Sequence, residues 1–121
     1  MEATRMLQVA TYLFGLAALG GILMGWIRLA RGTNPPSWLA MAHGFLAAAG
    51  VTLLAYAVFA LDASGTALLS LLLFLAGSLG GIFLNLFYHL HGKPLPKAIM
   101  GAHAVMSIVA FVLLYMAAFP G

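Results

Sequence analysis

Residues 32–50 read GTNPPSWLAMAHGFLAAAG, and residues 92–110 read GKPLPKAIMGAHAVMSIVA. The second stretch begins sixty residues after the first, and without any gap it brings His103 into register with His43. Each stretch opens with a turn rich in glycine and proline and continues as an apolar run, with its histidine about two helical turns along. The residues that recur over the same offset are Leu13, Phe14, Leu19, Gly20, Gly21, Ile22, Gly32, Pro36, Ala42, His43, Leu53, Leu54 and Phe59, matched by Leu73, Phe74, Leu79, Gly80, Gly81, Ile82, Gly92, Pro96, Ala102, His103, Leu113, Leu114 and Phe119.

The composition is typical of a membrane protein. Hydrophobic residues make up 64% of the 121 residues and charged residues only 6%, whereas roughly a quarter of a soluble domain is charged. The apolar segments long enough to cross a bilayer lie at about 7–29, 36–61, 66–90 and 96–119. The sequence therefore predicts an all-α, single-domain, up-down bundle of four transmembrane helices embedded in a lipid bilayer.

The recurrence predicts that this bundle is built from two tandem helical hairpins, at about 7–61 and 66–119. Because each repeat contains two helices, both repeats have the same orientation in the membrane. A pseudo-two-fold axis is therefore expected along the membrane normal.

Four of the five cations lie in the turns after the first and third segments. They are Arg28, Arg31, Lys93 and Lys97. The positive-inside rule predicts that these turns face the cytoplasm of a plasma or inner membrane, with both termini on the outer, periplasmic side. Five dispersed cations do not form a nucleic-acid-binding surface, so no nucleic-acid partner is expected.

Several functional classes lack the residues they need. The chain has no cysteine, which excludes disulfides, covalent haem attachment and iron–sulfur clusters. No acidic residue lies within a predicted helix, whereas small proton-coupled exporters need a membrane-embedded carboxylate. No Ser-His-Asp set or carboxylate pair is present for hydrolysis. A stand-alone enzyme is therefore not expected.

His43 and His103 are candidate ligands of a metal centre. Each lies seven residues past a proline, which places it about 10 Å along its helix. An ionisable side chain at membrane depth is a functional candidate, and the neutral imidazole is the form that binds metals. In an up-down bundle helices 2 and 4 are diagonal, with axes roughly 12–14 Å apart. That gap suits two imidazoles with one iron between them and is too wide for direct contact.

The surroundings of the histidines are also compatible with a haem. The small residues that follow on the same faces are Ala47 and Gly50 after His43, and Ser107 and Ala110 after His103. Their size leaves room for a flat macrocycle. The four cations of the turns lie at the same membrane face and are candidate partners for the haem propionates.

The four-helix plan and the pair His43 and His103 resemble the membrane cytochromes b. In these proteins, such as the cytochrome b561 type and the diheme core of respiratory cytochrome b subunits, four-helix bundles hold haem b between histidines of two helices. The resemblance implies axial ligation of haem b by His43 and His103, and electron transfer with quinol or a partner protein. Those families usually carry two haems, whereas this chain has no histidine toward the outer face, so one haem is expected.

Other interpretations stay open at this stage. His43 and His103 are alternatively packing residues that hydrogen-bond across helices, in a cofactor-free accessory or structural subunit of a larger complex. A third alternative is a metal-ion carrier that uses all four histidines, including His89 and His91 at the end of helix 3. Those two are otherwise polar end-of-helix residues favoured by the helix dipole. The chain is alternatively a homo-oligomer. The pairs Gly21/Gly25 and Gly77/Gly81 are interpreted as helix-packing motifs.

Overall fold

A computed structural model describes residues 2–121. The helices are α1 (Ala3–Arg31), α2 (Ser37–Ala60), α3 (Gly65–Phe87) and α4 (Lys97–Ala118), with a short 3₁₀ helix at His89–His91. No strand occurs within residues 2–121. All four long helices have the length and apolar composition needed to cross a membrane. The prediction of an all-α fold with four helices long and apolar enough to span a membrane is therefore confirmed.

The helices end where the local sequence requires it. α1 stops at Gly32, whose left-handed φ of 70° suits a residue without a Cβ atom. The following prolines prevent the helix from continuing, and α2 begins directly after Pro36. The Ser64 hydroxyl accepts a hydrogen bond from the Ala67 N–H at 3.3 Å and so caps the start of α3.

The end of α3 differs from the prediction that the helix continues to about residue 90. The α-helix ends at Phe87, and the chain tightens into the 3₁₀ helix before Gly92 reverses it with a φ of 65°. The backbone N–H groups of Gly92 and Lys93 donate to the carbonyls of His89 and Tyr88. This tighter turn satisfies carbonyls that an α-helix would leave free at its C-terminus.

The four helices form a square. α1 packs most closely on α2 and α3 on α4, while smaller contacts of α1 with α4 and of α2 with α3 complete the bundle. Helices α2 and α4 therefore lie on one diagonal, as predicted, and α1 and α3 on the other. Large apolar side chains such as Ile22, Phe59 and Leu79 point outward and are 69%, 73% and 69% exposed, which suits contact with lipid.

The tightly packed core occupies only one half of the bundle. We call the end with both termini and the turn 61–64 the terminal end, and the end with the turns 32–36 and 88–96 the loop end. The buried core residues toward the terminal end are Leu7, Ala10, Leu54, Ala57, Ala67, Leu71, Leu114 and Ala118. Near mid-height, the rings of Phe14 and Phe74 stack across the α1–α3 diagonal, with centroids 3.7 Å apart and planes 2° apart. Between this stack and the loop end, the bundle opens.

Candidate functional site

The loop half of the bundle contains a chamber of about 990 Å³ that is partly open to the outside, since its lining includes exposed side chains such as Ile22 and Phe45. The Phe14–Phe74 stack forms its floor, and all four helices contribute to its walls. Most of the lining is apolar, and both His43 and His103 lie on the wall. Pockets for small molecules and cofactors are typically about 300–1,000 Å³ and mostly apolar with a few polar groups. The chamber therefore has the size and lining of a site for a large apolar ligand.

Each histidine is held by a backbone carbonyl of the preceding helix. Nδ1 of His43 lies 2.7 Å from the Ala17 carbonyl oxygen, and Nδ1 of His103 lies 2.7 Å from the Gly77 carbonyl oxygen. The two residues of each pair are 26 positions apart in both cases. Since a carbonyl only accepts, Nδ1 carries the hydrogen and donates it, and a neutral ring then keeps its lone pair on Nε2.

Glycines create the space in which the imidazoles lie. A Cβ atom on Gly21 would meet Cε1 of His43 at 3.1 Å, and one on Gly81 would meet Cε1 of His103 at the same 3.1 Å. Gly25, by contrast, has no atom within 4 Å of an added Cβ. The interpretation of the glycine pairs as helix-packing motifs holds for Gly21, Gly77 and Gly81, which lie against side chains of the neighbouring helix, but not for Gly25, which faces open space.

The two imidazoles approach each other from opposite corners of the bundle. Their ring centroids are 6.2 Å apart, and the ring planes are inclined by 72° in an edge-to-face arrangement. The prediction that the gap is too wide for direct contact is therefore wrong, because both side chains extend toward the bundle centre. Within residues 2–121, the only hydrogen bonds of these side chains are the Nδ1 bonds. No described side-chain nitrogen or oxygen is both fully buried and unpaired. Both Nε2 lone pairs are therefore accessible from the chamber.

The four small residues predicted to face a macrocycle divide into two groups. Ala47 and Ser107 line the chamber, and the Ser107 hydroxyl donates to the His103 carbonyl at 2.7 Å. Gly50 instead packs against the Phe14 ring. Ala110 is fully buried in the core, and its carbonyl accepts a hydrogen bond from Ser70. Gly50 and Ala110 thus lie beside or below the floor and do not form the chamber wall as expected.

The four predicted propionate partners lie at or near the loop end. Lys97 lines the chamber. Arg28 is half-buried, and its Nε donates to the Leu95 carbonyl at 3.0 Å. Arg31 and Lys93 are exposed and lie outside the chamber lining. The structure therefore brings Lys97 to the chamber and uses Arg28 to join the two turns.

Of the two histidines at the end of α3, His89 lines the chamber that His43 and His103 also line, whereas His91 does not. Nε2 of His89 donates to the Pro35 carbonyl at 2.7 Å, while His91 is exposed. No cluster of three or more His, Cys, Asp or Glu residues occurs within residues 2–121. The described role of His89 is to join the turns, which its position in the sequence does not reveal.

A second connection between the turns comes from Asn34. Its Nδ2 donates to the Lys93 carbonyl at 2.7 Å, and its Oδ1 accepts from the Leu95 N–H at 3.0 Å. Because these partners are about sixty residues away in sequence, residue spacing gives no signal for them. Together with Arg28 and His89, Asn34 ties the two turns together at the loop end of the chamber.

No family model, curated protein or solved structure matches this chain. The functional argument therefore depends on the residues around the chamber. Several of them were not singled out as site residues from the sequence, notably Phe14, Gly21 and their counterparts Phe74 and Gly81. The sequence did contain an indication of their importance, since all four belong to the set that recurs at the sixty-residue offset.

Proposed function

We propose that this chain is an integral membrane b-type cytochrome that holds one haem b between His43 and His103 and transfers electrons. The observation that carries the proposal is the 6.2 Å separation of the two ring centroids. An imidazole nitrogen ligates a transition-metal ion at about 2.0–2.1 Å, and the ring centre lies about 1 Å further away, so two axial imidazoles have centres about 6 Å apart. The observed spacing fits one ion with a ligand on each side.

The hydrogen bonds of the histidines support ligation. Metal-binding histidines almost always donate their second ring N–H to a carboxylate, a carbonyl or water, which fixes the ring and raises the basicity of the ligating nitrogen. The Ala17 and Gly77 carbonyls provide such an acceptor for His43 and His103, respectively. Both Nε2 atoms are then oriented away from these carbonyls and are available as ligands.

The small number of protein donors favours a macrocycle over a bare metal ion. Structural zinc sites use four protein ligands and catalytic sites usually three. The described chain offers two imidazoles facing each other and no further His, Cys, Asp or Glu in a cluster with them. A haem supplies its own equatorial nitrogens and needs only axial ligands from the protein. This observation favours the haem over a histidine-based ion carrier.

The chamber itself argues against a purely structural role for the histidines. Protein interiors are close-packed, and large voids lose dispersion contacts on their walls. The terminal half of the same bundle is packed in this way, yet the half with the histidines leaves about 990 Å³. A cofactor-free bundle would need only the Nδ1 hydrogen bonds, whereas a flat cofactor would occupy the space beside both histidines.

In this proposal, the chain's residues hold the cofactor and set its surroundings. His43 and His103 would hold the haem iron, and the glycines at 21 and 81 leave room for their rings. The apolar lining would surround the macrocycle, and Lys97, which is exposed, offers a positive charge at the loop end of the chamber. When bound, haem supplies one-electron chemistry whose potential depends on ligation and burial.

We also propose a duplication origin and an orientation. The recurring histidine and glycine contacts are those expected of two hairpins related by an axis along the membrane normal. The cationic loop end would lie on the cytoplasmic side. The electron partner would be quinol dissolved in the bilayer or a protein that docks near the loop end.

The test is the absorption spectrum of the protein purified from membranes with haem supplied during expression. We expect one haem per chain, with a Soret band and a sharp α-band on reduction. His43→Ala and His103→Ala should each lose the low-spin spectrum, whereas His91→Ala, which alters an exposed histidine, should keep it. His43→Gly with added imidazole should regain the spectrum, which separates ligand loss from misfolding. A colourless wild-type protein, or unchanged spectra in both histidine variants, would contradict the proposal.

A further inference from the structure

Asn85 presents an unpaired amide to the loop half of the chamber. With Phe74, Ser78 and Gly81, it follows a four-three-four spacing along α3, so these residues share one helix face. All four line the chamber, and Asn85 is half-buried. The Asn85 side chain makes no hydrogen bond within residues 2–121.

The position equivalent to Asn85 in the first hairpin faces open space. The counterpart of Asn85 at the sixty-residue offset is Gly25, which also lines the chamber and has nothing within 4 Å of an added Cβ. Only one of the two equivalent positions therefore carries a polar group. The Asn85 amide is half-buried near the loop end of α3, and the described part of the chain gives it no hydrogen-bond partner. The partner is then expected to come from the chamber's occupant.

The height of Asn85 indicates which part of an occupant it would meet. Gly81 lies beside the His103 ring, and Asn85 is four residues further along α3, or about 6 Å closer to the loop end. Lys97 lines the same part of the chamber. A donor N–H group and an ammonium group beyond the level of the ligand rings form an environment for an anionic oxygen.

We propose that the Asn85 amide donates a hydrogen bond to a carboxylate of the chamber's occupant and that Lys97 supplies the balancing charge. This inference builds on the proposed function, since haem b carries two carboxylates along one edge. Asn85 is in this sense a positioning residue, which directs the carboxylate edge toward the loop end. Gly25 leaves space on the opposite side, so the site is polar on one side only.

The experiment compares two porphyrins in two forms of the apo-protein in detergent. Haem b and its dimethyl ester are titrated into the wild type and into Asn85→Leu, and binding is followed by absorbance. A hydrogen bond to a charged group is worth about tenfold or more in affinity. We expect Asn85→Leu to weaken haem b binding by about tenfold and to change dimethyl ester binding by less than about threefold. Thr52→Ala, which alters an exposed residue outside the chamber lining, should leave both affinities unchanged.

The outcomes separate this inference from the proposed function. If the wild type binds neither porphyrin, the proposed function fails. If the wild type binds both, and Asn85→Leu weakens both equally or neither, the cytochrome assignment stands and the role of Asn85 is overturned. Should Asn85→Leu fail to fold, Asn85→Gly, which copies the residue at position 25, serves in its place. We then expect the same selective loss of affinity for haem b, which has free carboxylates, and not for its dimethyl ester.

Discussion

A Cβ atom on Gly21 would lie 3.1 Å from Cε1 of His43 and 3.5 Å from its Nδ1. The imidazole therefore rests directly on the backbone of α1, one helical turn after the Ala17 carbonyl that accepts its hydrogen bond. Gly81 and His103 repeat this arrangement with distances of 3.1 Å and 3.6 Å. Each histidine is thus fixed by one turn of the neighbouring helix, through a carbonyl at the start of the turn and a missing side chain at its end.

Gly21→Ala should destabilise the protein despite the better helix propensity of alanine. Replacing glycine by alanine within a helix normally raises the free energy of unfolding by about 0.5–1 kcal/mol. Adding a side chain where the space is already filled lowers it by about 1–3 kcal/mol. We expect a net loss of about 1 kcal/mol in the free energy of unfolding, measured by circular dichroism in detergent. Gly15→Ala is the matched control on the same helix, because an added Cβ there meets nothing within 4 Å. Equal stabilisation by both substitutions would show that a glycine at residue 21 is not needed to make room for the His43 ring.

The bundle and the histidine diagonal could be predicted because they follow from hydropathy, turn residues and a gapless repeat. Four apolar segments and short turns leave an up-down bundle as the simplest arrangement, and the matched positions of His43 and His103 then place them on facing corners. The rotation of each helix about its own axis could not be predicted. Nothing in the composition of α1 shows whether Gly21 faces α2 or another helix, so the contact of this glycine with His43 was not predicted.

The contacts at the loop end could not be predicted for a different reason. Asn34 and His89 bind backbone carbonyls in the opposite turn, and every residue offers such a carbonyl whatever its side chain. The 3₁₀ helix that carries His89 likewise depends on how the two turns meet. The prediction that Gly50 faces the macrocycle failed for a simpler reason. The face of α2 that carries His43 and Gly50 continues past the chamber, so Gly50 meets the Phe14 ring.

Gly50→Ala should disrupt the floor of the chamber. A Cβ at residue 50 would lie 2.8–2.9 Å from three atoms of the Phe14 ring. That ring cannot easily move away because Phe74 is stacked on it at 3.7 Å. We expect a loss of about 2–3 kcal/mol in the free energy of unfolding, the upper part of the range for overpacked cores.

A double-mutant cycle identifies the clash as the cause. Combined with Phe14→Leu, Gly50→Ala should cost less than about 1 kcal/mol further, since the smaller side chain leaves room and residues in contact are not additive. Thermal or denaturant unfolding of the three variants in one detergent provides the measurement. Strict additivity would mean that the Phe14 ring is not what limits the size of residue 50.

Asn34→Ala should loosen the connection between the two turns. The substitution removes one donor to Lys93 and one acceptor from Leu95, each worth about 1 kcal/mol net in partly exposed positions. We expect a loss of about 1–2 kcal/mol in unfolding free energy and faster amide exchange at Leu95, measured by hydrogen–deuterium exchange. Thr33→Ala, at the exposed neighbouring residue, is the control. Unchanged exchange at Leu95 in Asn34→Ala would contradict the role of this side chain.

The loop end should be on the cytoplasmic side of the membrane. It carries four of the five cations, and moving lysine and arginine across the membrane during insertion is disfavoured, so their bias sets the orientation.

Because the chain has no cysteine, single reporters can be introduced at exposed positions of each end without a background signal. Thr33→Cys marks the loop end, and Thr66→Cys marks the terminal end. With a membrane-impermeant maleimide on intact cells, we expect Thr66→Cys to be labelled and Thr33→Cys to be labelled only after permeabilisation. The cysteine-free wild type is the control for both. Labelling of Thr33→Cys in intact cells would reverse the orientation, and labelling of both variants would reveal a mixed topology that the charge bias does not predict.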